Sequence, residues 1–246
     1  MVTREDFFPG EAKLIRQMFD LGLDWLHLRK PGSGEDAYRA LLMELSPYER
    51  SRTVLHEHYH LAPELAAGGI HANSRHPFPF KPTGERSAKF ADERGETAFP
   101  DMSHSGPTAT YSGPTAAMLS VSCHSLEELS AHKAKFDYLF LSPIFDSISK
   151  KGYSGRFTRE ELLEARDNDL IDKKIIALGG ITSGNIPIIR ELGFGGVAVL
   201  GSVWFSPSPV TSFEELRHSL GQPDFAKYGN GPPATAVAAT IFRVRF

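Results

Sequence analysis

The residues best suited to chemistry gather in one stretch, Ser120 to Gly155, SVSCHSLEELSAHKAKFDYLFLSPIFDSISKKGYSG. Ser122 and His124 end an apolar run, and Ser125 with Glu128 three residues later forms a capping box, so a helix begins directly after the histidine. A second apolar run, Tyr138 to Leu141, leads into Ser147, Ser149 and Lys150, a loop of hydroxyls and an ammonium. In barrels and open parallel sheets, ligands sit at the C-terminal ends of the strands. Imidazole exchanges protons near neutral pH, and hydroxyls beside an ammonium suit an anion. The combination predicts a site where an anionic substrate undergoes proton transfer, with His124 and Ser122 as its actors.

Other strand ends carry further candidates. Trp25 to Leu28 leads into Arg29-Lys30-Pro31-Gly32, and Thr53 to His56 leads into Glu57. The Arg29 guanidinium suits bidentate binding of phosphate or carboxylate. His27 reads as a hydrogen-bonded wall of the pocket, and Glu57 as a base, a metal ligand or a partner for Arg29. Ile175 to Leu178 ends in Gly179-Gly180, and Val197 to Leu200 ends in Gly201-Ser202. Bare glycine amides admit an anion close to the backbone, and the loops after the last two strands of a barrel commonly hold phosphate. His56, His58 and His60 alternate, and on one strand they would share a face fit for zinc. A strand that ends at His56 leaves the other two in a loop, which weighs against that reading. His132 and His218 fall on helices and are assigned to the surface. Cys123 points away from Ser122 and takes no part.

The elements that must position these groups alternate regularly. Helical spacing is present over Glu11–Phe19, Glu35–Leu45, Leu61–Ala67 and Ile186–Leu192. Thr158 with Glu161, and Ser212 with Glu215, are further capping boxes. Seven short apolar strands, with Val2 and Thr3 as the end of an eighth, each lead to a helix or loop. That pattern predicts a parallel sheet covered by helices, and the number of units favours a single (β/α)8 TIM barrel with a shortened first strand. The barrel is expected over 1–220, with a flexible insertion at 77–115 between strands 4 and 5 and an appendage at 221–246. Both of those stretches lack strand or helix periodicity.

Composition narrows the partners. A net charge of −3 argues against a chain built to hold nucleic acid. No apolar run approaches the ~18–20 residues that cross a bilayer, and Arg4, Glu5 and Asp6 interrupt any signal-like start. One cysteine permits no intramolecular disulfide. The expectation is a cytoplasmic protein acting on a small molecule, with a homo-oligomer left open.

Seven segments, taken in order, resemble the thiamine phosphate synthase/TenI family. They are HLRKPG (27–32), HEHYHLA (56–62), GGIHANSRH (68–76), SVSCHS (120–125), FDYLFLSPIFDSISK (136–150), ALGGI (177–181) and GFGGVAVLGSVW (193–204). The resemblance implies a barrel that binds a phosphorylated thiazole in thiamine biosynthesis, with phosphate at Gly180 and Gly201-Ser202. It also matches Ser147, Ser149 and Lys150 to a family loop of hydroxyls and lysine. Departures from the synthase pattern are specific: Gln-Leu-Arg-Glu-Lys becomes His27-Leu28-Arg29-Lys30-Pro31, Asn-Asp becomes His56-Glu57, and a second magnesium-binding aspartate falls at His76. On these grounds the chain looks closer to the TenI-like branch, a thiazole tautomerase that needs no cofactor and uses His124. The alternative is a Mg2+-dependent thiamine phosphate synthase with Glu57 as ligand, and a non-catalytic phosphate-binding barrel comes third.

Overall fold

The computed structural model describes residues 1–73, 118–146 and 155–221. The insertion expected at 77–115, the appendage beyond Gly221, His76, and the loop holding Ser147, Ser149 and Lys150 lie outside the described residues.

Seven strands form one sheet in sequence order, every neighbouring pair parallel. They are β1 (Leu26–Leu28), β2 (Thr53–Leu55), β3 (Gly69–Ala72), β4 (Met118–Cys123), β5 (Tyr138–Leu141), β6 (Ile175–Leu178) and β7 (Gly196–Ala198). Met1 to Thr3 joins the two outer strands. Val2 N donates to Val199 O at 2.9 Å, Thr3 N donates to His27 O at 3.0 Å, and His27 N donates to Met1 O at 2.7 Å. Val2 also forms a parallel bridge with His27. These bonds close the barrel through the short first strand expected from the sequence.

Two apolar layers follow from the alternation of side chains along each strand. Outward residues such as Leu28, Leu55, Leu119, Leu139 and Ile175 are fully buried against the helices. Inward residues form a smaller cluster of Val2, Met118, Tyr138, Phe140 and Ala198. That inner cluster fills only part of the barrel. On the β1–β4 side the interior is polar, with His27, His56, His71 and Ser120 all buried.

The covering helices are α1 (Glu11–Asp20), α2 (Glu35–Glu44), α3 (Pro47–Ser51), α4 (Leu61–Glu64), α5 (Leu126–His132), α6 (Arg159–Asp167), α7 (Ile186–Glu191), α8 (Gly201–Trp204) and α9 (Pro209–Ser219). The Thr158–Glu161 box caps α6 reciprocally. At α5 only half a box forms: Ser125 accepts from Glu128 N, while the Glu128 carboxylate accepts from His124 N at 2.7 Å. Ser212 caps nothing, because α9 starts earlier, at Pro209. The ring of Pro209 sets the first helical φ and lacks only an N–H that would be unbonded there anyway.

Helix α3 has a reciprocal box of its own, in which Ser46 accepts from Glu49 N and Ser46 N donates to Glu49 Oε2 at 2.6 Å. Ser46→Ala is expected to cost about 1 kcal/mol. It should appear as a lower urea midpoint at unchanged slope.

Candidate active site

The strand tips open onto a cleft of about 890 Å³. A second cavity of about 130 Å³ lies at the other end of the barrel, among Met1, Trp25, Gly195 and Arg217. Small-molecule sites typically run to about 300–1,000 Å³, and of these two the cleft at the tips falls in that range.

Arg29 stands on this cleft at the tip of β1. Its backbone N–H donates to Thr3 Oγ1 at 2.9 Å, and its Nη1 donates to Glu5 Oε1 at 2.8 Å. Arg4, Glu5 and Asp6, which follow the closing strand, line the same rim. Arg4 pairs with Asp6 at 2.8 Å. Two guanidiniums therefore face one side of the cleft, although only Arg29 was expected there. Arg4 was missed because it follows a strand too short to show a pattern.

Lys30 corrects the expectation for its position. Side chains alternate along a strand, so the neighbour of an inward Arg29 points outward. Lys30 is buried behind the sheet, donating from Nζ to Glu11 Oε1 at 2.6 Å and to Asp6 O at 2.7 Å. Burial pushes the Lys30 pKa down and the Glu11 pKa up, each shift opposed by the other's charge.

Glu57 lies on the cleft with 6% of its surface exposed, and Tyr38 donates from its hydroxyl to Glu57 Oε2 at 2.9 Å. Burial, then the Glu57 charge, pushes the Tyr38 pKa up, so the phenol stays a donor. Asn73 lines the cleft nearby and donates from Nδ2 to His56 O at 3.0 Å.

His56 and His71 also reach the cleft, while His27 sits one layer below it. His27 Nδ1 lies 3.0 Å from His56 Nε2, and the Tyr138 hydroxyl lies 2.9 Å from His27 Nε2. His71 is held at both nitrogens, 2.8 Å from Ser120 Oγ and 2.9 Å from Ser122 Oγ. Burial pushes all three imidazole pKa values down, that of His71 to about 3, so the rings are neutral near pH 7. His58 and His60 take no part in this cluster. His58 Nε2 meets Ser33 O at 2.8 Å and His60 pairs with Glu35. The alternating trio is thus broken at His56, where the strand gives way. Neither His71 nor its stacking on His56, centroids 4.2 Å apart, is visible without knowing the register of β2 and β3.

His124 lies exposed on the cleft at the tip of β4, beside Ser122. Its Nδ1 is 3.0 Å from Ser142 O, an acceptor only. That contact assigns the proton to Nδ1 and leaves Nε2 with a lone pair. His132, expected at the surface, instead lines the cleft, and its Nδ1 is buried with no hydrogen-bond partner among the described residues. Cys123 is buried in the outer layer, as expected from alternation.

The cleft wall reaches Leu178 and Leu200, the residues just before Gly179 and Gly201. Gly179 and Gly180 have φ of +99° and +65°. A Cβ on Gly180 would lie 2.3 Å from Asp146 O, so the tips of β5 and β6 touch only because no side chain intervenes. Gly201 and Ser202 open α8, and Ser202 Oγ is buried without a partner among the described residues.

Comparison with known proteins agrees with this geometry. The family described as thiamine monophosphate synthase matches residues 108–203. A thiamine phosphate pyrophosphorylase from Bacteroides thetaiotaomicron superposes with a TM-score of 0.68 at 33% identity, covering 89% of this chain and 95% of that one. A thiamine-phosphate synthase from Bacteroides fragilis is 25% identical over 212 residues, covering 83% of this chain and 89% of its own length. The pyrophosphorylase from Pyrococcus furiosus, at 18% identity and a TM-score of 0.62, shares the fold.

Proposed function

Because the chain belongs to the thiamine-phosphate synthase family of thiamine biosynthesis, we propose that it couples an aminopyrimidine diphosphate to a thiazole phosphate. The thiazole nitrogen forms a bond to the carbon bearing the diphosphate, the carbon–oxygen bond breaks, and pyrophosphate leaves with the electron pair. The sequence placed proton transfer first and this coupling second. The similarity to proteins named as synthases reverses that order.

The observation that carries the proposal is Arg29, fixed at the rim of a cleft whose wall also reaches Leu178 and Leu200, just before the Gly179-Gly180 and Gly201-Ser202 turns. In this arrangement Arg29 and Arg4 take the diphosphate, and the late-strand backbone amides take the monophosphate. A guanidinium aimed at the leaving oxygens is worth most as charge builds there. Ser147, Ser149 and Lys150 are retained as substrate-binding candidates on family resemblance alone.

The departing diphosphate calls for Mg2+, which usually binds through one or two carboxylates plus substrate phosphates and water. Glu57 fits that role: it lies on the cleft beside the Arg29 rim, with one oxygen oriented by Tyr38. When bound, the ion would neutralise charge on the leaving group. Tyr38 meanwhile holds the carboxylate, and Asn73 braces the backbone at His56.

A second reading, aromatisation of a thiazole tautomer, is favoured by one observation, the Nε2 of His124 at the cleft, which has no hydrogen-bond partner among the described residues. The two readings separate in one assay. Supplied with both substrates, the protein is expected to release pyrophosphate, and EDTA is expected to abolish release until Mg2+ is restored. Aromatisation of a dihydrothiazole phosphate without pyrophosphate release, unaffected by EDTA and lost in His124→Gln, would replace the synthase reading.

A further inference from the structure

We propose that His27, His56 and His71 form a binding site for a divalent transition-metal ion, zinc being the best match, in the barrel interior directly beneath the cleft. The site is separate from the magnesium position at Glu57, and it stands whether or not the coupling reaction is correct.

Three adjacent strands supply the ligands. One ring nitrogen from each histidine falls within 4.8 Å of the other two. The side chains are buried, with residue exposures of 2%, 5% and 1%. Barrel interiors are ordinarily filled with branched aliphatic residues, and three imidazoles clustered there are a costly replacement unless their polar atoms are used.

The proton arrangement suits coordination. A metal takes the lone pair of a neutral imidazole while the other nitrogen keeps its proton and finds an acceptor. His27 meets that condition if Nε2–H donates to the Tyr138 hydroxyl, 2.9 Å away, leaving Nδ1 bare. With its proton on Nδ1, His56 leaves Nε2 bare. Those two nitrogens already face each other at 3.0 Å. Donors about 2.0–2.1 Å from a tetrahedral zinc ion lie roughly 3.3–3.4 Å apart, so this pair need open by only a few tenths of an ångström. His71 sits between two hydroxyls, each able to donate or accept. By rotating out of its stack on His56 it can present one nitrogen to the ion and keep one serine as an outer partner. Burial keeps all three rings neutral, as ligation requires.

Charge sets the rest of the shell. Three neutral ligands leave two positive charges in the interior, so the fourth position needs an anion. The side facing the cleft, which His56, His71 and Ser122 line, admits hydroxide or a phosphate oxygen. Nitrogen donors select zinc, cobalt or nickel over magnesium.

The test uses the full-length protein, stripped with EDTA and titrated with Co2+ alone. The expected result is one Co2+ per chain with the visible absorption of a four-coordinate nitrogen-ligated ion, displaced by one equivalent of Zn2+, and a rise in Tm. His27→Gln and His56→Asn should each weaken binding by at least about 100-fold. If those variants fold poorly, Tyr138→Phe serves instead, since loss of an outer hydrogen bond typically costs about 10–100-fold in affinity. His58→Asn, outside the cluster, should leave binding unchanged. Wild-type protein that takes up no stoichiometric Co2+ or Zn2+ would overturn the proposal. So would uptake undiminished in His27→Gln and His56→Asn, which would place the ion elsewhere and leave His27 bonded to His56 and His71 to its two serines.

Discussion

Arg29→Ala is expected to lower kcat/KM for pyrophosphate release by about 10²–10³, the usual cost of removing one group aimed at developing negative charge. Arg29 is held from two directions. Its backbone N–H donates to Thr3 Oγ1, and Thr3 Oγ1 donates back to Arg29 O at 3.1 Å. The guanidinium pairs with Glu5 at 2.8 Å, and Arg29 has 24% of its side chain exposed against 56% for Glu5. An incoming diphosphate therefore competes with a solvated carboxylate, not a buried one, and the exchange is cheap. Arg29→Lys keeps the charge but loses the planar fork, so an intermediate loss is expected. Steady-state kinetics with each substrate varied in turn would check this. The loss should follow the diphosphate substrate, and unchanged kinetics in Arg29→Ala would remove the residue from the site.

Lys30→Met is expected to destabilise the protein by about 3–5 kcal/mol, the range for a buried ion pair that loses one partner. The Lys30 and Glu11 side chains are 0% and 2% exposed, and the ammonium also lies 4.7 Å from the Phe7 ring centroid. Without Lys30, Glu11 keeps a buried carboxylate, and its Oε2 already lacks a hydrogen-bond partner among the described residues. Burial is the largest influence on both pKa values and acts against both charges. Replacing the pair together, Lys30→Met with Glu11→Leu, is accordingly expected to recover most of the loss. Urea denaturation of the two variants and wild type measures both effects. A single variant as stable as the wild type would contradict the buried-pair account.

Much of the barrel was legible because its strands are short apolar runs and its turns fall at glycines. Tyr138–Leu141 and Ile175–Leu178 are the strands read from sequence without change. The capping boxes located α6 and the start of α5, but Ser212 misled because Ser208-Pro209 offered an earlier start. Ser46-Pro-Tyr-Glu49 was an equally good signal for α3 and went unread. Within the site, Ser122, His124, Arg29, His56 and Glu57 do converge on one cleft. Lys30 went astray because proximity to a strand tip was read without the alternation that turns every second side chain away. His27 shares the inward face with Arg29 but lies a layer deeper, which depth along the barrel decides and residue type does not. The imidazole cluster needed β2 and β3 in register, since His56 and His71 follow the paired positions Leu55 and Ile70. No local pattern carries that information.

The central claim is that this cleft joins two phosphorylated rings with loss of diphosphate. Phosphorus NMR of the protein with both substrates and Mg2+ tests it in one sample. The account predicts that the two coupled diphosphate signals give way to a single pyrophosphate line while the thiazole monophosphate signal shifts to that of the coupled product. Diphosphate signals that persist unchanged while the thiazole substrate is consumed would contradict it.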